Sequence, residues 1–357
     1  LDVNVDDLVV ITNAQTSRIN DDVRQLVRGY QERFSSTEHV LTFNTSAEAP
    51  YDVTVLDTDP GYLDAESTVL YSAVTNTGTS LLTWSRTETW SATTPYPLLI
   101  GGERMTCTAC TAATPALVAA GTAAHADNAS VVPGLPAGLA VGQLLTVLAG
   151  IRNSGTGVPT ASALTSLGYV VLVDAANVVL FGKIAEASDL SAAPTVTFTG
   201  GAAGATCSAQ MAAFTGALPL VIDRNNQLNG SAQDILVSAP LTMAGGASLV
   251  IIFGWKQDDW TSVATLSPLA EIGEPSSVLG SDQGLVWDWM ACDGYSTAPT
   301  IGASFTVTGG AAAISRAGAI CLPASQTMTV TRSVNGIVKA HSANAPVHVA
   351  EPARLGL

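Results

Sequence analysis

The clearest pattern of apolar and polar positions lies near the end of the chain, in "TMTVTRSVNGIVKAHSANAPVHV", residues 327–349. Apolar and polar residues alternate from Met328 to Val334, and Asn335-Gly336 then interrupts the run. That alternation is the period of a half-buried strand, and an Asn-Gly pair between two such runs predicts a hairpin with a type I′ turn. In "EHVLTFNTS", His39, Leu41 and Phe43 alternate with Val40, Thr42 and Asn44, which predicts another strand. Residues 23–34, "VRQLVRGYQERF", fit a helical stripe through Val23, Leu26, Val27, Tyr30 and Phe34 as well as they fit a strand. Gly29 in the middle weighs against a helix, so a strand is predicted here too. "PLLI" and "ERMTCTA" flank Gly101-Gly102, a second two-residue hairpin turn.

From residue 114 to 324 the character of the chain changes. It becomes rich in Ala and Gly, with strand-like runs such as "LLTVLAGI", "YVVLVDA", "VVLFGKI" and "ASLVIIFGW" between turn clusters. That spacing predicts an antiparallel β-sandwich. After "AICLPAS" the alternating pattern of the first hundred residues returns. "ERMTCTA" and "TMTVTRSV" match in length and alternation, so they are expected to pair across the intervening segment, as when one domain is inserted into a loop of another. The expected division is therefore a β segment over 1–55, a small discontinuous β domain over 56–113 plus 325–357, and an inserted sandwich over 114–324. The fold class is all-β, with small barrel or sandwich host domains and a jelly-roll-like insertion.

Composition narrows the function. Only 12% of the 357 residues are charged, yet the formal net charge is −15. An acidic, charge-poor surface does not suit the phosphate backbone of nucleic acids. No apolar run is long enough to span a bilayer, so no membrane insertion is expected. The chain opens on "LDVNVDD", without an initiator Met or a basic segment leading into an apolar one. No signal peptide is expected, and these residues are read as a downstream part of a longer polypeptide.

"LIGGERMTCTA" and "TMTVTRSVNGIVKAHSANAPVHVAEP" resemble a recurring ending of minor tail proteins, of the tail-tip or hub class, in siphophages of actinobacteria. "LVRGYQERFSSTEHVLTFNTSAEAPYDVTVLD" resembles a segment just upstream in the same proteins. The segments "LVAAGTAAHADNASVVPGLPAGLAVGQLLTVLAGI" and "PTVTFTGGAAGATCSAQMAAF" look like the jelly-roll-like modules that decorate phage structural proteins. The resemblance implies a virion component of the tail tip, assembled in the bacterial cytoplasm. Its implied partners are other tail proteins and further copies of itself around the tail axis, three being the expected number. It carries over no catalytic residue and no cofactor.

The candidate chemistry is sparse. His341 and Lys339 share a strand face by period two, but no activated nucleophile lies nearby, and neither G-x-S-x-G nor H-E-x-x-H occurs. A solvated strand face is the expected role, with no catalytic residue assigned. Cys107 and Cys110 form C-T-A-C without the second pair of a zinc ribbon, so neither a metal nor a redox site is assigned and buried small hydrophobes are expected. Asp57, Asp59 and Asp64 surround Gly61 in a turn and are candidate cation ligands, although Pro60 and the missing terminal Glu depart from an EF-hand. Trp255 and Trp260, with Trp287 and Trp289, are candidate glycan contacts. Exposed rings would stack on sugar faces while Asp258, Asp259 and Asp288 accept hydroxyl hydrogen bonds. If enclosed, the rings are sandwich core, the reading that large aromatics favour. The expected function is a structural tail-tip component that joins neighbouring tail proteins and displays a sandwich able to touch host cell-surface glycan. A cell-wall glycosidase or peptidase is the alternative, and a glycosidase would need two carboxylates facing each other in a cleft.

Overall fold

In Tyr96–Ile100, Tyr96, Leu98 and Ile100 are buried while Pro97 and Leu99 are partly exposed. A strand with one dry face can close into a barrel around that face, and this one does. The computed structural model describes residues 8–11, 23–35, 38–47, 68–84, 94–127, 130–152, 158–159, 164–199, 206–237, 241, 247–279, 281–292 and 304–350. Strands supply nearly all of their regular structure, with a 3-10 turn at Ala187–Leu190. The chain divides into two compact units: Leu1–Thr83, Ser91–Cys110 and Met328–Leu357 form one, and Trp84–Trp90 with Thr111–Thr327 form the other.

In the first unit, β1 (Leu8–Ile11), β2 (Val23–Phe34) and β3 (His39–Ala47) make a three-stranded antiparallel sheet in that order. The barrel begins with β4 (Thr68–Val69), β5 (Ser80–Trp84), β6 (Tyr96–Ile100) and β7 (Glu103–Ala112). Gly101 and Gly102, at φ 53° and 88°, form the two-residue turn expected between β6 and β7. Within β7 the chain passes into the second unit.

The second unit is built from two sheets that repeat one design. Its first half contributes β8 (Ala116–Ala120), β9 (Ala124–Ala126), β10 (Ser130–Val131), β11 (Leu144–Arg152), β12 (Val158–Pro159), β13 (Val170–Asp174), β14 (Val178–Ile184), β15 (Val196–Thr199) and β16 (Thr206–Thr215). The second half contributes β17 (Asp223–Ala232), β18 (Ile235–Leu236), β19 (Ser248–Lys256), β20 (Ser262–Val263), β21 (Ala270–Gly273), β22 (Ser276–Ser277), β23 (Gln283–Cys292), β24 (Ser304–Phe305), β25 (Val307–Thr308) and β26 (Ala313–Pro323). The first sheet runs β13-β14-β11-β16-β8 and the second β21-β23-β19-β26-β17. Taken in chain order within each half, these are the same arrangement. The central strand of each sheet is paired on both sides: Leu148 lies between Leu180 and Gln210, and Phe253 lies between Trp287 and Gly318. The halves also share a local sequence, "TFTGGAA" at 197–203 and "TVTGGAA" at 306–312.

The two sheets pack face to face. Leu144, Leu148, Leu180 and Phe214 of one meet Leu249, Phe253, Trp255, Trp287 and Leu322 of the other in one enclosed core. The edges obey the same near-twofold relation, with β13 against β17 and β21 against β8. Each sheet is then covered on its outer side by the short strands of its own half. Val131, Val196 and Phe198 cap the first, while Ile235, Val263, Phe305 and Val307 cap the second. Because both faces of the central strands are dry, β11, β16 and β19 are buried almost throughout instead of alternating.

The chain then returns through β27 (Ser325–Thr331) and β28 (Pro346–Val349). The barrel order is β4-β28-β6-β7-β27-β5, and a bridge between Leu70 and Thr83 joins its two ends, leaving the sheet nearly closed. Leu70, Leu81, Leu98, Ile100, Met105, Met328, Val330 and Val347 are buried. The neighbouring of β7 and β27 is the long-range pairing that their alternation led us to expect. The hairpin expected within 327–349 is not formed. β27 lies beside β7 and β5, whereas β28 pairs with β4 and β6. The turn between them is closed by Gly336 N–H donating to the Ser333 carbonyl, with Ser333 and Gly336 at positive φ and Asn335 not. Asn335 instead uses its side chain to brace the β6–β7 turn, accepting from Arg104 N at 3.1 Å and donating to Gly102 O at 3.0 Å.

Candidate functional site

The four tryptophans are interior or nearly so, which corrects their assignment as glycan contacts. Trp255 and Trp287 have no exposed surface, and Trp260 is 6% exposed. Trp289 is half-buried, packs on the inter-sheet core and meets Phe214 edge to face. A ring enclosed in this way has no free face for a sugar. The cause lies in β23, where Leu285 and Trp287 face the core between the sheets and Val286 faces the outer one.

An enclosed indole N–H needs an acceptor. Trp287 Nε1 donates to Gln210 Oε1 at 2.8 Å, from the second sheet to the first. Trp255 Nε1 donates to Gln283 Oε1 at 2.7 Å, and Gln283 Nε2 donates onward to Thr206 O at 2.7 Å and Ser208 Oγ at 2.9 Å in the first half. These two glutamines fasten the halves together with satisfied polar bonds. Sequence reasoning does not single them out. A Gln inside a run of mostly small and apolar residues, as in "CSAQMAAF", is the signal that it carries a buried partner.

Asp258 and Asp259 are half-buried, and with Asp282 they bring carboxylate oxygens within 4.8 Å of one another. Asp258 Oδ2 also accepts from Ala311 N, tying this acidic loop to the Gly309–Ala312 turn. Asp57, Asp59 and Asp64 lie outside the described residues. Asp288 is no hydroxyl acceptor at the surface, being fully enclosed. Its Oδ2 accepts from Leu266 N at 2.6 Å, and Oδ1 has no hydrogen-bond partner among the described residues. Burial pushes this carboxyl up to about 7, with nearby Glu271 and Glu274 adding to the shift and the Leu266 hydrogen bond opposing it.

His341 and Lys339 do not form a solvated strand face either. Glu103, wholly enclosed at the start of β7, receives Arg332 through Nε at 2.9 Å and Nη2 at 2.6 Å, His341 Nε2 at 2.9 Å and the Lys339 N–H at 3.2 Å. Burial pushes the Glu103 carboxyl up, but the hydrogen bonds from Arg332, His341 and the Lys339 backbone outweigh it and hold it at about 2. This is a clamp on an ionised carboxylate. Cys107 is buried and Cys110 half-buried, and neither is in a disulfide among the described residues. Burial pushes the Cys107 thiol up, the reverse of what a reactive thiolate needs. His125 Nδ1 lies 2.7 Å from Ser208 Oγ, the distance of a base and a nucleophile, but Ser208 has no exposed surface to meet a substrate.

Among the described residues, β2 and β3 carry a further group of exposed large side chains, Tyr30 and Phe34 included. Tyr30 pairs with Phe43, Glu32 with Leu41 and Phe34 with His39. The Phe34 and His39 rings stack at 4.2 Å, and His39 Nε2 lies 3.5 Å from Glu32 Oε1. No family model matches this chain, and neither a curated protein nor a solved structure matches it.

Proposed function

We propose that the chain is a structural component of a bacteriophage tail tip. In this reading the barrel unit joins neighbouring tail proteins and the sandwich unit is displayed toward the host surface. The observation that carries it is connectivity: the chain leaves the barrel within β7 and returns within β27, two strands that lie side by side. A nearly closed small barrel carrying a large module on adjacent strands suits display of that module, since the module can be added without disturbing the sheet. The chemistry of the enclosed side chains also suits this role, because the Glu103 clamp and the Trp–Gln bonds are spent on holding the fold. The sequence resemblance to tail-tip proteins points the same way. Trp255, Trp260 and Trp287 would take no part in a glycan contact, because their rings are interior.

The competing reading is a cell-wall hydrolase, and its one foothold is the Asp258–Asp259–Asp282 cluster, whose spacing is close to that of a retaining pair of carboxylates. Two measurements separate the readings. Antibody against the purified chain should label the tail tip of virions in electron micrographs, and added chain should lower phage adsorption. Clearing of host cell wall in a zymogram, abolished by Asp258→Asn or Asp282→Asn, would replace the structural reading with the hydrolase.

A further inference from the structure

We propose that residues 263–269 form a strap over the outer core of the sandwich unit's second half, latched by Asp288 and released when that carboxyl gives up its proton. The inference concerns the strap alone and holds whether or not the chain belongs to a tail tip.

The strap has an inner and an outer side. Val263, Leu266 and Leu269 are buried in the same core as Ile252 and Val286, while Ala264, Thr265, Ser267 and Pro268 are exposed. One layer of chain, dry inside and wet outside, therefore closes this part of the core. Its start is tied down by two N–H groups, Val263 donating to Glu274 Oε2 and Ala264 to Thr306 O at 2.9 Å. Its middle is held by Leu266 N–H, which donates to Asp288 Oδ2 at 2.6 Å. Leu269 N–H then turns back to Leu266 O at 2.6 Å.

Asp288 is fully enclosed, and its Oδ1 has no hydrogen-bond partner among the described residues. It stands opposite Ile252 on β19 and Glu271 on β21. Glu271 and Glu274 both act against its ionisation, and the thiols of Cys292 on β23 and Cys321 on β26 lie in the same core. Lys256 is on the same face of β19, four residues past Ile252, but its charged neighbours are Asp258, Asp234 and Asp259. A carboxylate so enclosed must stay protonated or reach water. Leu266 is both its hydrogen-bond donor and part of its cover, so ionisation favours opening of the strap.

Burial, with Glu271 and Glu274 adding to it, lifts the carboxyl from 3.8 to about 7 while the strap is closed, and water beneath an open strap returns it toward 3.8. The closed form therefore holds a proton that the open form releases. Opening grows easier as pH rises from 3.8 to about 7 and changes no further above that, so the strap is tightest in acid.

The test is amide hydrogen exchange of the full chain between pH 4.5 and pH 8, each rate corrected for the intrinsic effect of pH on exchange. Leu266 N–H should exchange by local opening, faster than the amides of β19, which is paired on both sides. Its protection should fall about tenfold per pH unit up to pH 6.5 and level off above pH 7. Asp288→Asn keeps an acceptor for Leu266 and removes the titration, so its protection should not change with pH. Glu271→Gln, at an exposed position, should keep the fold and move the levelling-off to lower pH. A Leu266 amide that exchanges no faster than those of β19, or one equally protected at pH 5 and pH 7, would overturn the proposal. So would a pH profile that persists in Asp288→Asn, or one that Glu271→Gln leaves where it was.

Discussion

Arg332 grips Glu103 with two parallel hydrogen bonds, Nε to Oε1 at 2.9 Å and Nη2 to Oε2 at 2.6 Å, although 229 residues separate them in the chain. Both belong to the barrel unit. The bidentate pair also carries His341 Nε2 and the Lys339 N–H on the same carboxylate, so it pins the segment after β27 onto the start of β7. That segment is where a local hairpin was expected. A four-donor clamp fixes its path more strongly than a two-residue turn does.

The clamp sets an acid limit on the barrel. Glu103 is held at about 2, below the ordinary value of 4.5, so its contribution is complete above 4.5 and is lost as pH falls toward 2. Thermal melts between pH 7 and pH 2 should therefore show the barrel losing stability over that window. Glu103→Gln should flatten this dependence and lower stability at pH 7 by about 3–5 kcal/mol, because Arg332 is left enclosed without its counter-charge. Equal acid sensitivity in wild type and Glu103→Gln would remove the clamp as its source.

The Trp287–Gln210 bond is tested by a double-mutant cycle. Trp287→Phe leaves Gln210 Oε1 without its donor, and Gln210→Leu leaves the indole N–H without its acceptor. Each single change should cost about 1–3 kcal/mol in denaturant unfolding, beyond any loss of packing. The double variant should recover part of that loss, since neither polar group is then stranded. Strictly additive losses would mean the bond contributes nothing to the seam.

Asp288 acts in the opposite sense to Glu103. Its carboxyl is raised from 3.8 to about 7, so the folded state favours the protonated form. Its contribution is full below 3.8 and is lost as pH rises toward 7. Asp288→Asn keeps the shape and removes the titration. That variant should be more stable than wild type at pH 8, and its advantage should shrink toward pH 5. A variant less stable than wild type at pH 8 would mean that the ionised carboxylate is used in the fold.

Much of the fold is legible in the sequence because it depends on period. The alternation of residues 103–109 and 327–334, with the Gly101-Gly102 turn, points to the barrel strands and to the pairing of β7 with β27. Gly29 likewise decides in favour of the strand that Val23–Phe34 forms. What period cannot give is which strands become neighbours once long-range polar bonds intervene, and Asn335-Gly336 misleads for that reason. The repeat within the sandwich is hidden in the sequence because the matching stretches are short and lie over a hundred residues apart. It emerges once the strand orders are compared. For the tryptophans, residue type marks the right rings but not their exposure. Burial is decided by Leu285 and Trp287 sharing one face of β23 opposite Phe214 and Leu148.

The last prediction concerns separability. The chain crosses between the units within β7 and within β27, and these strands are neighbours. Replacing residues 111–327 by a short Gly/Ser turn should therefore leave a barrel that folds by itself, since β7 keeps Glu103, Met105 and Cys107 and β27 keeps Met328 and Val330. Shortening a flexible loop lowers its closure cost by only about 0.6 kcal/mol per halving, and a folded sandwich already holds the two ends together. The trimmed barrel should thus have nearly the stability of the barrel in the full chain. Calorimetry distinguishes the cases: two transitions in the full chain, one of them retained by the trimmed barrel, are expected for independent units. A trimmed chain without a cooperative transition, under conditions where the full chain melts normally, would mean that the barrel needs the sandwich to fold.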